Sequence, residues 1–297
     1  MILLIGVIDI LNILTAISIL AIVAIGLYIV FGLMNVINMA HGDMMMIGAF
    51  STLTLTSFGI NFWVSVLWSG LVVAALGALV ERSVIRYLYQ TGALSTMLAT
   101  WGLGIVLQQT IRLTYGPQGQ FVELPTLSMT NIFGVQYPTY RLLLLIISLL
   151  IFIILFIILR KTKIGLIIRA TMDQPTFAET MGINTKQVYF IGFVIGSFLA
   201  GIAGALIAPI TNVSPLMGLD YVVKSFLAVI VGGVQSMLSV VGGATIIEGI
   251  LNLLNIYIDA TVAWIIVLSI IIITIWIRPK GVFSRRWQTI KIGIYLY

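Results

Sequence analysis

"NVINMAHGDMMMIGAF", Asn35 to Phe50, holds the chain's one histidine together with two asparagines and an aspartate, between runs that are almost wholly apolar. As continuous helix in lipid the stretch would be costly, since an aspartate at a helix centre costs roughly 2.5–3.5 kcal/mol on insertion scales. Gly32, Gly42 and Gly48 punctuate it. It therefore reads as a broken or re-entrant element facing protein or water, never lipid. Asn35, Asn38 and His41, three apart, would share a face of any helical turn. Two roles stay open for them: bonding backbone groups freed at the break, or lining a substrate pathway.

Outward from this stretch, the chain has 297 residues, of which 61% are hydrophobic and 8% charged. A soluble domain carries about a quarter charged residues, so the composition points to an all-α polytopic integral membrane protein. There is no cysteine, which excludes disulfides and cysteine metal sites. The net charge of +6 reads as cytoplasmic-loop lysine and arginine rather than a nucleic-acid surface. No cleavable signal peptide is expected, because Asp9 lies in the first apolar run and no positive residue precedes it.

Clear apolar runs are Leu11–Leu33, Phe62–Val80, Ala93–Leu113, Leu142–Leu159, Val188–Ala208 and Val262–Ile277. Met44–Phe58 is short for a full crossing, and Asp220–Ile258 is too long for one helix, interrupted by Gly232-Gly233 and Gly242-Gly243. Roughly eight to ten membrane segments follow, some broken or re-entrant. Arg82 and Arg86, the segment Arg160–Gln187 and the tail with Arg278, Lys280, Arg285, Arg286 and Lys291 read as cytoplasmic. Leu113–Tyr140 has no Lys or Arg and reads as external. By parity, Asp220–Ile258 crosses twice or re-enters and leaves on one side. The N-terminus is external if Met44–Phe58 crosses, internal if it is re-entrant. The two irregular regions hint at an internal repeat with a site between its halves.

On Val188–Ala208, residues Gly192, Gly196, Ala200, Gly204 and Ala208 recur every fourth position, as do Gly70, Ala74 and Ala78 on another helix. Such stripes let helices approach closely, within the chain or across a subunit interface. No phosphate loop, H-E-x-x-H or G-x-S-x-G motif occurs, and no metal site is expected. Asp43, Glu248 and Asp259 are scattered rather than paired; Asp43 and Glu248 are weak candidates for a proton path. In "RATMDQPTFAETMGINTKQ", Arg169–Gln187, the spacing predicts a short helix over Thr176–Met181. Asp173 or Gln174 would cap it, Pro175 would sit in its first turn, and Gly182 and Asn184 would end it. It reads as a docking element standing off the membrane, or as a solvated loop helix.

"GLYIVFGLMNVINMAHGDMMMIGAF" (Gly26–Phe50), "RATMDQPTFAETMGIN" (Arg169–Asn184) and "RPKGVF" (Arg278–Phe283) resemble the permease subunits of ATP-binding cassette importers for branched-chain amino acids and urea. The resemblance covers nearly the whole chain. Ser95–Pro117 and Asp220–Val234 look more like the urea branch. The family usually has glycine at Asn35, Gln235 and Ser239, and an acid at Lys224.

The resemblance implies one permease domain over 1–297, with 169–187 a cytoplasmic coupling loop and 278–297 a cytoplasmic basic tail. It implies a bacterial cell (inner) membrane location, a second related permease, two cytoplasmic ATPase subunits that bind the ATP, and an external solute-binding protein meeting the Gly116–Thr139 face. This chain itself would carry no cofactor and no catalysis. Thr176, Phe177, Ala178, Glu179, Thr180, Met181 and Gly182 would couple to the ATPases. Asn35, Asn38, His41, Thr100, Trp101, Gln108 and Gln109 are the candidate path-lining residues, chosen for a neutral substrate such as urea. A stand-alone carrier for a small neutral solute and an intramembrane enzyme are the competing readings.

Overall fold

The apolar runs become helices, because in lipid only a helix or a closed barrel satisfies every backbone group. The computed structural model describes residues 2–89 and 91–283, with side chains from residue 6 on. Arg285, Arg286 and Lys291 lie outside the described residues. The helices are α1 (Ile2–Met34), α2 (His41–Ser57), α3 (Phe62–Ser83), α4 (Ala93–Tyr115), α5 (Thr139–Lys161), α6 (Lys163–Asp173), α7 (Pro175–Thr180), α8 (Thr185–Ile207), α9 (Met217–Gly232), α10 (Met237–Asn255) and α11 (Ala260–Ile277). Six helical segments are long and apolar enough to cross a membrane: Gly6–Met34, Phe62–Ser83, Thr139–Lys161, Thr185–Ile210, Met237–Asn255 and Ala260–Ile277. At 23 residues, α4 is about 34 Å long and also reaches across, but Gln108, Gln109 and Arg112 dilute its hydropathy. Of the remaining four, α2 and α9 are the shortened partners at the chain breaks, and α6 and α7 are short.

Contacts between elements fix the crossings. Near its start, α1 meets the external side, where Tyr137 Oη donates to Asn12 Oδ1 at 3.1 Å. Near its end, Gly32 lies against Met172 of the basic, cytoplasmic α6. Residues 35–57 then return to the external side, where Thr54 and Tyr115 hydroxyls bond at 2.5 Å. The chain therefore crosses here, and α1 begins on the hairpin face, beside Tyr137 and opposite the basic α6. The second irregular region crosses twice. Val213, just before α9, pairs with Gln120 of the external loop. At the far end of α9 the Val282 N–H donates to Val231 O at 2.7 Å, so α9 ends beside the tail and α10 goes back out. The chain turns at Gly233, whose φ is +92°. Gly242-Gly243 does not break α10, contrary to expectation: Gly243 packs on the Ala228 carbonyl of α9.

An inverted repeat emerges. Helices α1–α4 correspond to α8–α11, with α1 running inward and α8 outward. The two long helices form the buried centre, α3 packs on α8, and α10 packs on α1. A Cβ on Gly26 would lie 2.9 Å from Gly196 O, and one on Gly196 2.8 Å from Gly26 O, so the central crossing is backbone on backbone. The counterpart of the Asn35–Ala40 break is 208–216, not Gly232-Gly233. Pro209 and Pro215 flank it, and proline removes the N–H that would continue a helix.

The small-residue stripe on α8 packs within the chain: Gly192 on Leu33, Gly196 on Gly26, and Gly204 on the Met45 carbonyl, with Ala200 fully buried between them. On α3 the packing face is Gly70, Val73 and Gly77 rather than Gly70, Ala74 and Ala78; Gly77 meets Ser197. The outer faces of α5 and α11, with Ile153, Ile154, Ile272 and Trp276 exposed, suit lipid. One external hairpin departs from the helical plan: β1 (Met129–Ile132) and β2 (Val135–Pro138), antiparallel. Its turn uses positive φ at Phe133 (+50°) and Gly134 (+84°), the geometry that matches strand twist.

Candidate translocation site

The polar stretch that opened the sequence climbs back beside α1 without helical structure and restarts as α2 in mid-membrane. Asn35 turns the chain with φ +51°, the left-handed region that glycine adopts freely and asparagine tolerates best among the others. That suits an asparagine at a position where the resemblance expects glycine. The break's backbone is then served by α4. The Met39 N–H donates to Thr100 Oγ1 at 3.0 Å, and that hydroxyl lies 3.1 Å from the Ile37 carbonyl. His41 begins α2 with Nε2 3.1 Å from the Val23 carbonyl and its ring over Gly26. It is fully buried and turned toward α1. Asp43 sits in the first turn of α2, where the helix N-terminus favours an anion. Its Oδ1 accepts from Gln108 Nε2 at 2.8 Å, and the carboxylate occupies the space left by Gly104.

The first turns of α2 and α9 meet. Gly42 and Gly218 lie backbone to backbone, with no room for a Cβ on either. Two half-crossing helices thus start in mid-membrane and point in opposite directions, as at binding sites of transporters built from inverted repeats. Beside them Asn38 is 1% exposed. Among the described residues, neither its amide atoms nor His41 Nδ1 has a hydrogen-bond partner.

The structure brings Gln108 to Asp43, which the sequence reading had weighed only for a proton path, and Thr100 to the backbone on either side of Asn38, while His41 contacts α1. Asn35 is exposed at the turn. Trp101 and Gln109 stand on the outward face of α4, in line with the exposed Gly102, which has nothing within 4 Å. Asp43, Glu248 and Asp259 have separate partners: Gln108 for the first, Lys224 (2.9 Å) and Asn252 (2.7 Å) for the second, and the Thr261 N–H (2.8 Å) for the third. Among the described residues, these three acids do not converge on one another. Lys224, which the resemblance sets at an acid position, pairs with Glu248.

On the cytoplasmic side α7 spans Pro175–Thr180 rather than Thr176–Met181. Gln174 is its N-cap position without a side-chain bond, and Asp173 ends α6. Gly182, at φ +80°, terminates it. Asn184 instead caps α8, accepting from the Gln187 N–H at 3.2 Å. Ala178 is buried and Glu179 is held by the Thr185 hydroxyl at 2.6 Å. Phe177 and Met181, a turn apart, are 62% and 70% exposed. Thr176, Thr180 and Gly182 are exposed around them. Nearby, burial and then the hydrogen bond it donates to Glu81 push the Tyr89 hydroxyl above its usual range.

Comparison with known proteins accords with this geometry. Residues 9–276 match the family model described as branched-chain amino acid transport system / permease component. The chain is 26% identical over 278 residues to the high-affinity branched-chain amino acid transport system permease protein LivH of Salmonella typhimurium, covering 88% of this chain and 90% of the relative. It is 28% identical over 289 residues to the probable branched-chain amino acid transport permease protein LivH of Methanocaldococcus jannaschii, covering 90% and 89%. It is also 26% identical over 292 residues to the permease protein LivM of Salmonella typhimurium, covering 90% of this chain and 68% of the relative. No solved structure matches the chain. With the family model spanning α1 to α11, this multi-pass membrane protein belongs to the branched-chain amino acid transport system permease family.

Proposed function

We propose that the chain is the membrane-spanning permease of an ATP-binding cassette importer for branched-chain amino acids. It works with a second related permease, two cytoplasmic ATPase subunits that bind the ATP, and an external solute-binding protein. The observation that carries the reading is the meeting of α2 and α9 at Gly42 and Gly218, a break in mid-membrane on a chain without a phosphate loop. The names of the LivH and LivM relatives support two things: the substrate class, and a pairing of two related permeases. None of the relatives named above carries urea in its name, so the urea reading yields to this one.

A branched-chain amino acid is a zwitterion with an apolar side chain. Asp43 offers a countercharge for its ammonium group, the helix N-termini at the break favour its carboxylate, and Asn38 has unused hydrogen-bonding capacity beside them. The outward face of α4, with Gly102 and Gln109, borders this region and suits the path or the second permease better than lipid. Phe177 and Met181 are the apolar knobs through which α7 receives the ATPase movement.

Uptake of leucine and urea by the reconstituted assembly tests both parts. ATP-dependent leucine uptake is expected, unaffected by excess urea. Phe177→Asp/Met181→Asp should abolish uptake and ATPase co-purification while the permease stays folded. Urea uptake that leucine does not inhibit refutes the substrate. Uptake by this chain alone without ATP refutes the importer.

A further inference from the structure

The cytoplasmic ends of α1, α5, α6 and α10 enclose a cavity of about 710 Å³. Its wall has two kinds of lining at two depths. Arg160 lies in the last turn of α5 and Ser236 caps the first turn of α10, both at the cytoplasmic boundary of the membrane. Phe156, a turn deeper on α5, and Tyr28, six residues before the end of α1, continue the cavity into the bilayer. Arg169 of α6 faces the same space.

Among the described residues neither Arg160 nor Arg169 is ion-paired with a carboxylate, although Asp173 lies near enough to act electrostatically on Tyr28 in the same wall. Arg169 Nη1 is buried with no hydrogen-bond partner, and Arg160 is held over the Phe156 ring at 5.5 Å. The nearby acid, Asp173, is exposed and lines a separate groove with Pro175 and Thr176. The N-terminal end of α10, a 19-residue helix, adds its positive dipole end. Away from the cavity, α6 exposes Ile164 and Leu166, as a helix lying in the membrane surface does.

We propose that this cavity holds an anionic phospholipid of the cytoplasmic leaflet. Its phosphate lies between Arg160, Arg169 and the first turn of α10, and an acyl chain lies along Phe156 and Tyr28. The recognising chemistry is that of any phosphate ester, but the apolar inner wall fits a lipid and has no use for a free anion. The lipid fastens α6 to the bundle one residue before α7 begins, and so steadies the element that carries Phe177 and Met181.

Native mass spectrometry of the full chain, with whatever subunits accompany it, tests this by titration with phosphatidylglycerol, phosphatidylcholine or inorganic phosphate. Phosphatidylglycerol should be retained about tenfold better than phosphatidylcholine. Arg160→Gln/Arg169→Gln should erase that preference, while Arg86→Gln, in the basic groove beside α3, keeps it. A double variant that still prefers phosphatidylglycerol as strongly as the parent overturns the proposal, as does displacement of the lipid by millimolar inorganic phosphate. A photoactivatable phosphatidylglycerol on the unaltered protein gives a readout independent of variant folding: adducts within residues 156–172 or 235–239 are expected, and adducts confined elsewhere overturn it.

Discussion

The central crossing makes a graded demand on side-chain volume. A Cβ on Gly26 would meet Gly196 O at 2.9 Å and His41 Cε1 at 3.1 Å, whereas ordinary contact begins at 3.4 Å. Gly26→Ala therefore forces α1 and α8 apart by about 0.5 Å (3.4 less 2.9), because the nearest atom is a backbone carbonyl that cannot rotate away. Overpacking of this kind costs about 1–3 kcal/mol, offset by roughly 0.5–1 kcal/mol of helix preference for alanine over glycine. The net expectation is a loss of about 1 kcal/mol. Gly42→Ala drives its methyl further into the Gly218 backbone and should lose more than about 2 kcal/mol, with transport falling as α2 and α9 separate. Gly249, also helical, has nothing within 4 Å, so Gly249→Ala should be neutral or slightly stabilising. Thermal unfolding of the three purified variants, followed by loss of monodisperse protein, gives the order directly. Gly42→Ala melting at or above the parent, or Gly249→Ala falling below Gly26→Ala, would refute the close-crossing account.

Two further perturbations probe the polar interior. Thr100→Val keeps the shape but removes the acceptor for the Met39 N–H. The orphaned amide should cost about 1–3 kcal/mol in thermal stability, whereas Thr100→Ser retains it; equal melting of the valine and serine variants would contradict the bond's role. Lys224→Met should destabilise by roughly 3–5 kcal/mol, because it strands the buried Glu248 carboxylate, while Lys224→Met/Glu248→Met should recover most of that loss. A double variant no better than the single one would mean that the ion pair itself stabilises α9 against α10.

Composition alone determined that this chain lives in lipid, since the solvation cost of so apolar a surface is one that no tertiary contact can reverse, and the placement of lysine and arginine gave the expected inside and outside. Five of the six long runs matched a helix within a few residues for the same reason, while α1 begins nine residues before the expected Leu11. The break at Asn35–Ala40 was legible because polar residues and glycines have no other use within an apolar run. Its partner at 208–216 was marked only by Pro209 and Pro215 and went unread, since prolines alone look like an ordinary loop.

What side chains do at the break was decided by tertiary structure. His41 turned toward the Val23 carbonyl, Glu179 was taken up by Thr185, and Asp43, weighed only for a proton path, met Gln108 from a helix 65 residues away in sequence. The inverted repeat belongs to the fold as well, because its halves are related by direction through the bilayer, and a linear hydropathy pattern reads the same whichever way a helix runs.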